Sequence, residues 1–322
     1  MREREEGRDR RGRAKVWLLA TALTLGWAVV RWVPEPVARG GFRLIAAAIW
    51  RRQGRGVRQL EANLRRVVAS PESELPRLTR AAVRSYLRYW MEVFRLSVMD
   101  HDRLLSEFHV RDVERLWSTL RLGGGVILAL PHMGNWEHAG AWVAASGYPF
   151  TTVAERLRPE SLFDRFVAFR ESLGMEVLPL TGGNGHVFET LARRLRSGRL
   201  VCLLSDRDLT STGVEVKFFS EAARMPAGPA ALALETGAAL LPVTLWYEGE
   251  HWAARIHEEV EAPREGSREE KVAAMTQTLA LAFEEGIAAH PCDWHMLQRL
   301  WVADVDSARL PEPEARSRSV RG

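Results

Sequence analysis

Short apolar runs recur along this chain, each bounded by glycine, proline or a charge, with helical spacing filling the intervals. Val126–Leu130 follows a glycine turn and reads as a strand buried on both faces. Pro131 ends it, because proline lacks the ladder donor, and Trp136–Ala145 reads as a helix. A βα rhythm follows: strand Phe150–Ala154, helix Pro159–Leu173, strand Glu176–Leu180, helix Gly185–Arg196 and strand Leu200–Ser205. Strands Val214–Phe219, Ala239–Tyr247 and Trp252–His257, a helix Pro229–Thr236 and a closing helix Arg268–Ala289 complete it. Upstream, the stretch from Gly56 to Asp112 is helical in pattern, with Leu60 and Leu64, then Val83, Leu87 and Met91, spaced by four. Alternation of this kind predicts an α/β fold whose central sheet is mostly parallel, with helices on both faces.

The N-terminal part differs. Residues 1–15 form a basic flexible tail, and Arg51–Arg66 holds six arginines against Glu61 alone, although the whole chain carries a formal charge of only +4. Between them, Val16–Val30 is apolar but shorter than a spanning helix requires. It lacks a small-residue cleavage site and is flanked by Trp27 and Trp32. With Phe42–Trp50 it predicts membrane-interfacial helices over residues 16–50, tryptophan and arginine lying at headgroup depth. A catalytic domain over 51–305 and a Pro-, Arg- and Ser-rich disordered tail over 306–322 complete the division. Basicity concentrated at the front suits an anionic membrane surface. No zinc-finger spacing or nucleic-acid module supports a nucleic-acid partner, and Cys202 and Cys292 have no metal-ligand company.

Candidate chemistry begins where the first strand ends. His132 and Glu137 are five apart, too far around one helix to share a face. They meet only if His132 lies in the preceding turn, Gly134 allows the bend, Asn135 caps the helix and Glu137 sits in its first turn. Glu137 would then fix the imidazole tautomer, as a triad acid does. With no serine or cysteine nearby, the simplest role for His132 is a base on a substrate hydroxyl. A histidine and a carboxylate alone are also compatible with a purely structural strand end. Other polar groups sit at strand ends, where one rim of the sheet gathers them: Glu155 and Arg156, Asp206, Arg207 and Asp208, with Arg170 turning back and Arg224 before a Gly- and Pro-rich helix start. Asp206 and Asp208 could hold Mg²⁺. No G-x-S-x-G elbow supports a serine hydrolase.

The full block Pro131-His132-x-Gly134-Asn135-Trp136-Glu137 resembles the H-x4-D/E motif of lysophospholipid acyltransferases. The nearest likeness is the lipid A late-acyltransferase branch, and within it the actinobacterial phosphatidylinositol mannoside acyltransferases. Glu155-Arg156 with Arg170, Asp206-Arg207-Asp208 through Phe219, Met225 through Ala238, and His290-Pro291 with Trp294, Gln298 and Trp301 resemble its later blocks. The resemblance implies that His132 and Glu137 are the catalytic pair. It implies that Glu155, Arg170, Asp206 and His290 line the acceptor and acyl-donor pocket, and Asn135, Arg156, Arg207, Asp208 and Arg224 join them as candidate substrate-binding residues. The expected reaction is acyl transfer from acyl-CoA, a co-substrate, to a mannose hydroxyl of a glycolipid at the cytoplasmic face of the plasma membrane, with no cofactor. Acylation of a lipid A precursor or another glycolipid, and lipid binding without turnover, remain open alternatives.

Overall fold

A computed structural model describes residues 26–27, 29–69, 71–155, 160–180, 186–208 and 213–307. The expected tail 1–15, most of the apolar segment before Val30, Arg156, the first residues of two expected helices and residues 308–322 lie outside them.

Seven strands form one sheet in the order β1-β9-β8-β2-β5-β3-β4: β1 Phe108–Arg111, β2 Val126–Leu130, β3 Phe150–Ala154, β4 Met175–Pro179, β5 Leu200–Leu204, β8 Ala239–Glu248 and β9 His251–Ile256. Neighbours pair in parallel except β8 with β9, which are joined as a hairpin. β2 lies at the centre, between β8 and β5, and all five of its residues are buried. Its side chains alternate between two cores, as a strand's period requires. Ile127 and Ala129 join one with Val201 and Leu203, while Val126, Leu128 and Leu130 join the other with Leu200.

The first core is covered by α8 Val187–Arg196, α9 Gly228–Thr236 and α10 Arg268–Ala289, through Leu191, Leu232, Leu279 and Phe283. A capping box starts α10: the Ser267 hydroxyl accepts from the Glu270 N–H, and the Ser267 N–H donates to Glu270. The second core is covered by α3 Leu75–Leu96, α4 His101–Ser106, α5 Glu114–Arg121, α6 Trp136–Ala145 and α7 Glu160–Ser172. On the outer side of α3, α1 Glu35–Arg52 and α2 Arg55–Val67 build a third cluster around Ala46, Leu60, Leu64 and Val83. The short α11, Val302–Ser307, holds the first two residues of the expected C-terminal tail.

Two expectations are corrected. The interval from Gly56 to Asp112 is not helical throughout, because β1 pairs with the edge of β9; four residues are too few to show a strand's alternation. Val214–Phe218, β6, is not in the main sheet but pairs antiparallel with β7, Glu221–Met225. Phe219 and Ser220 between them both have positive φ, 46° and 68°, the turn that matches the twist of a tight hairpin. Among the described residues no helix is long and apolar enough to cross a membrane.

Candidate active site

The carboxyl ends of β2 and β5 are level, with Leu130 opposite Leu204, and the Ser205 N–H donates to the Leu130 carbonyl at 2.7 Å. His132 and Asp206 therefore leave neighbouring strands side by side, at the rim where open α/β sheets gather their chemistry. Asp206 is fully buried. One carboxylate oxygen lies 2.6 Å from His132 Nδ1, and the other accepts from the His132 backbone N–H and from Trp294 Nε1, each at 3.0 Å. Burial opposes ionisation of this carboxyl, but the charge and hydrogen bonds of His132 and the Trp294 donor more than offset it, so its pKa lies below the ordinary aspartate value. An ionised carboxylate can only accept, which assigns the His132 proton to Nδ1 and leaves Nε2 as the basic nitrogen. The His132 carbonyl accepts from the His295 N–H at 2.7 Å, so the histidine is held from both sides.

The turn that follows depends on one glycine. Gly134 has φ of 59°, and a Cβ there would come within 2.8 Å of the Leu245 backbone. Asn135 caps α6 as its sequence position suggests, accepting from the His138 N–H at 3.0 Å. Its amide also donates to Glu92 on α3, at 2.8 Å, and Glu92 further accepts from Arg88 and Trp252. Asn135 is thus buried with both ends of its amide committed to the protein, and it holds the turn rather than facing a ligand.

Glu137 does not hold the imidazole. Its carboxylate receives Arg170 Nε at 3.0 Å and Nη2 at 2.5 Å, in a bidentate buried pair between α6 and α7. The reason is geometric: with Asn135 as cap, Glu137 is the second helical residue and turns towards α7, while Asp206 already occupies Nδ1. Burial works against the Arg170 charge, but Glu137 outweighs it and raises the guanidinium pKa.

Among the described residues, two cavities adjoin His132 and Glu137 at this rim, and a third, mostly apolar and about 360 Å³, has Leu204, Arg207, Asp208 and Pro229 in its wall. One, of about 150 Å³, is lined by His132, Trp136, Arg207, His295 and the α3 aromatics Tyr86, Tyr89 and Trp90. The Trp136 ring stands edge-on to His132 at 5.5 Å and packs on Tyr89 at 4.2 Å. Arg207 Nε is buried there without a hydrogen-bond partner in the protein. The second cavity is narrow and apolar, about 80 Å³, and runs between α6 and the sheet, with the Glu137–Arg170 pair in its wall.

The remaining expected residues are spread more widely. Glu155 is exposed at the end of β3, Arg156 lies outside the described residues, and Arg224 is exposed on β7. Asp208 shapes its own loop, accepting from the Gly213 N–H and donating its backbone N–H to the Arg224 carbonyl. His290 is stacked on Trp246, with ring centroids 4.6 Å apart, and lines none of these cavities. Among the described residues no group of three or more His, Cys, Asp and Glu is placed to hold a metal. Sequence reasoning missed Glu92 and His295. His295 touches Ser85 Oγ through Nε2 at 3.0 Å, and burial holds its pKa down at about 3. A histidine beside Trp294 in a segment without periodicity was its only signal.

The profile of the family described as bacterial lipid A biosynthesis acyltransferase matches residues 6–303. The chain is 52% identical over 285 residues to the phosphatidylinositol mannoside acyltransferase of Mycolicibacterium smegmatis, covering 88% of this chain and 91% of that one. It is 48% identical over 298 residues to the protein of the same name from Mycobacterium tuberculosis (strain CDC 1551 / Oshkosh), covering 92% of each.

Proposed function

Since the chain belongs to the bacterial lipid A biosynthesis acyltransferase family, we propose that it moves a long acyl chain from acyl-CoA to a mannose hydroxyl of a phosphatidylinositol mannoside. The observation that carries the chemistry is the 2.6 Å contact between His132 Nδ1 and Asp206. With Nδ1 engaged, His132 Nε2 takes the proton from the acceptor hydroxyl as its oxygen attacks the thioester carbonyl. The new C–O bond forms, the C–S bond breaks, and the imidazolium returns the proton to the departing thiolate. Asp206 stabilises the imidazolium between these steps, the role the sequence reading gave to Glu137. Glu137 and Arg170 brace the wall of the apolar cavity, which suits the acyl chain, and Arg207 offers a charge to a phosphate or to the developing oxyanion. The aromatic rings around His132 suit the apolar face of a sugar.

Membrane association is part of the same reading. The outer face of α1 exposes Val37, Leu44, Ile45 and Ile49, Trp32 precedes it, and Arg43, Arg51 and Arg52 are exposed beside them. An apolar face flanked by arginines suits shallow, peripheral binding to an anionic leaflet, here the cytoplasmic face of the plasma membrane. The experiment is incubation with radiolabelled palmitoyl-CoA and a panel of phosphatidylinositol mannosides, lipid A precursors and other glycolipids. Label should pass to a phosphatidylinositol mannoside. Label on a lipid A precursor alone would change the acceptor, and no transfer to any acceptor would favour lipid binding without turnover.

A further inference from the structure

The apolar cavity has one position where α6 presents no side chain. Gly140 lies one helical turn after Glu137 and lines the cavity. A Cβ built there would come within 2.9 Å of Met175 Cε and 3.0 Å of Phe150 Cζ. Met175 and Phe150 are the first residues of β4 and β3, both buried and both in the cavity wall. Glu137, in the first turn of α6, marks the end of the cavity nearest the carboxyl rim, whereas Met175 and Phe150 begin their strands at the opposite, amino ends. Gly140 therefore sits where the slot passes from its reactive end towards its floor.

Glycine in a helix interior costs roughly 1 kcal/mol relative to alanine, and here no positive φ explains it. We propose that Gly140, with Met175 and Phe150 opposite, sets the length of acyl chain the enzyme accepts: a specificity-determining gate in the wall of the slot. The proposal rests on reading this cavity as the acyl-chain site. Gly140 leaves the passage between helix and strands open. A methyl group there pushes the flexible end of Met175 across it and shortens the chain that fits. Shortening Met175 has the opposite effect and deepens the slot.

The test is binding of non-hydrolysable alkyl-thioether analogues of CoA, with dodecyl to octadecyl chains, to the full chain by calorimetry, with thermal melts in parallel. Gly140→Ala should shift the hexadecyl-to-dodecyl affinity ratio at least about tenfold towards the shorter chain, the scale of one methylene in an apolar pocket. It should melt close to wild type, because Met175 Cε can move. Met175→Ala should shift the ratio the other way, and the double variant should recover long-chain binding. Wild-type protein that binds no chain would overturn the acyl-cavity reading and this proposal with it. Wild-type protein that discriminates by length, with the ratios unchanged in Gly140→Ala and Met175→Ala, would overturn the gate alone.

Discussion

Asp206 and Glu137 are buried carboxylates at the same rim, one following β5 and the other in the first turn of α6. Glu137 is bound in two-pronged fashion to a guanidinium, which keeps its charge at any working pH. Asp206 is bound to an imidazole, which can gain and lose a proton. The first arrangement fixes two helices to each other; on the proposed mechanism the second poises a base. Sequence spacing from His132 cannot separate them, because what decides each role is the partner that the fold delivers from elsewhere in the chain.

The contrast is broken most severely at the histidine. His132→Ala should reduce acyl transfer by about 10⁴-fold, the upper range for a general base, and should also lower the melting temperature, because it leaves the buried Asp206 carboxylate without its imidazole partner. Asp206→Asn should cost up to about 10⁴-fold in kcat, as loss of a triad acid does through the wrong tautomer. Glu137→Gln should appear mainly in stability. It strands the Arg170 charge, and denaturant titration should show a loss of about 3–5 kcal/mol. Asp206→Asn and Glu137→Gln giving the same rate loss and the same stability loss would erase the distinction.

A smaller effect sharpens the electrostatic side. His138 is buried against Trp252, and burial holds its pKa down at about 3. Because the folded value lies below the unfolded one, its contribution is complete above about pH 6.5 and is lost as pH falls towards 3. Across that window it should erode stability by about 1.4 kcal/mol per pH unit. Urea titrations of His138→Gln should show a pH slope shallower by that amount; an unchanged slope would mean that the folded protein already protonates His138.

The sheet was largely legible because its strands are continuous apolar runs, and β2, β3 and α6 lie where their residues suggest. β1 and the β6–β7 hairpin were not, since a four-residue edge strand carries almost no pattern and a register can assign a strand to either sheet. The site was legible in composition more than in contacts. His132, Asp206 and Arg207 were identified at strand ends and do gather at one cavity or against one another. The pairing of Asp206 with His132, 74 residues apart, depends on β5 lying beside β2, a choice of strand order that local sequence does not encode. Glu92 was hidden for the same reason: on α3 it looks like any helical glutamate until Asn135, Arg88 and Trp252 converge on it.

The central claim is that Asp206, and not Glu137, holds the imidazole proposed as the general base. Nitrogen-15 NMR of histidine-labelled protein measures this directly, with His132 assigned by its loss in His132→Ala. At a pH where the imidazole is neutral, the account predicts the His132 proton on Nδ1, a signature preserved in Glu137→Gln and lost in Asp206→Asn. A His132 signal that changes with Glu137→Gln and survives Asp206→Asn would contradict it.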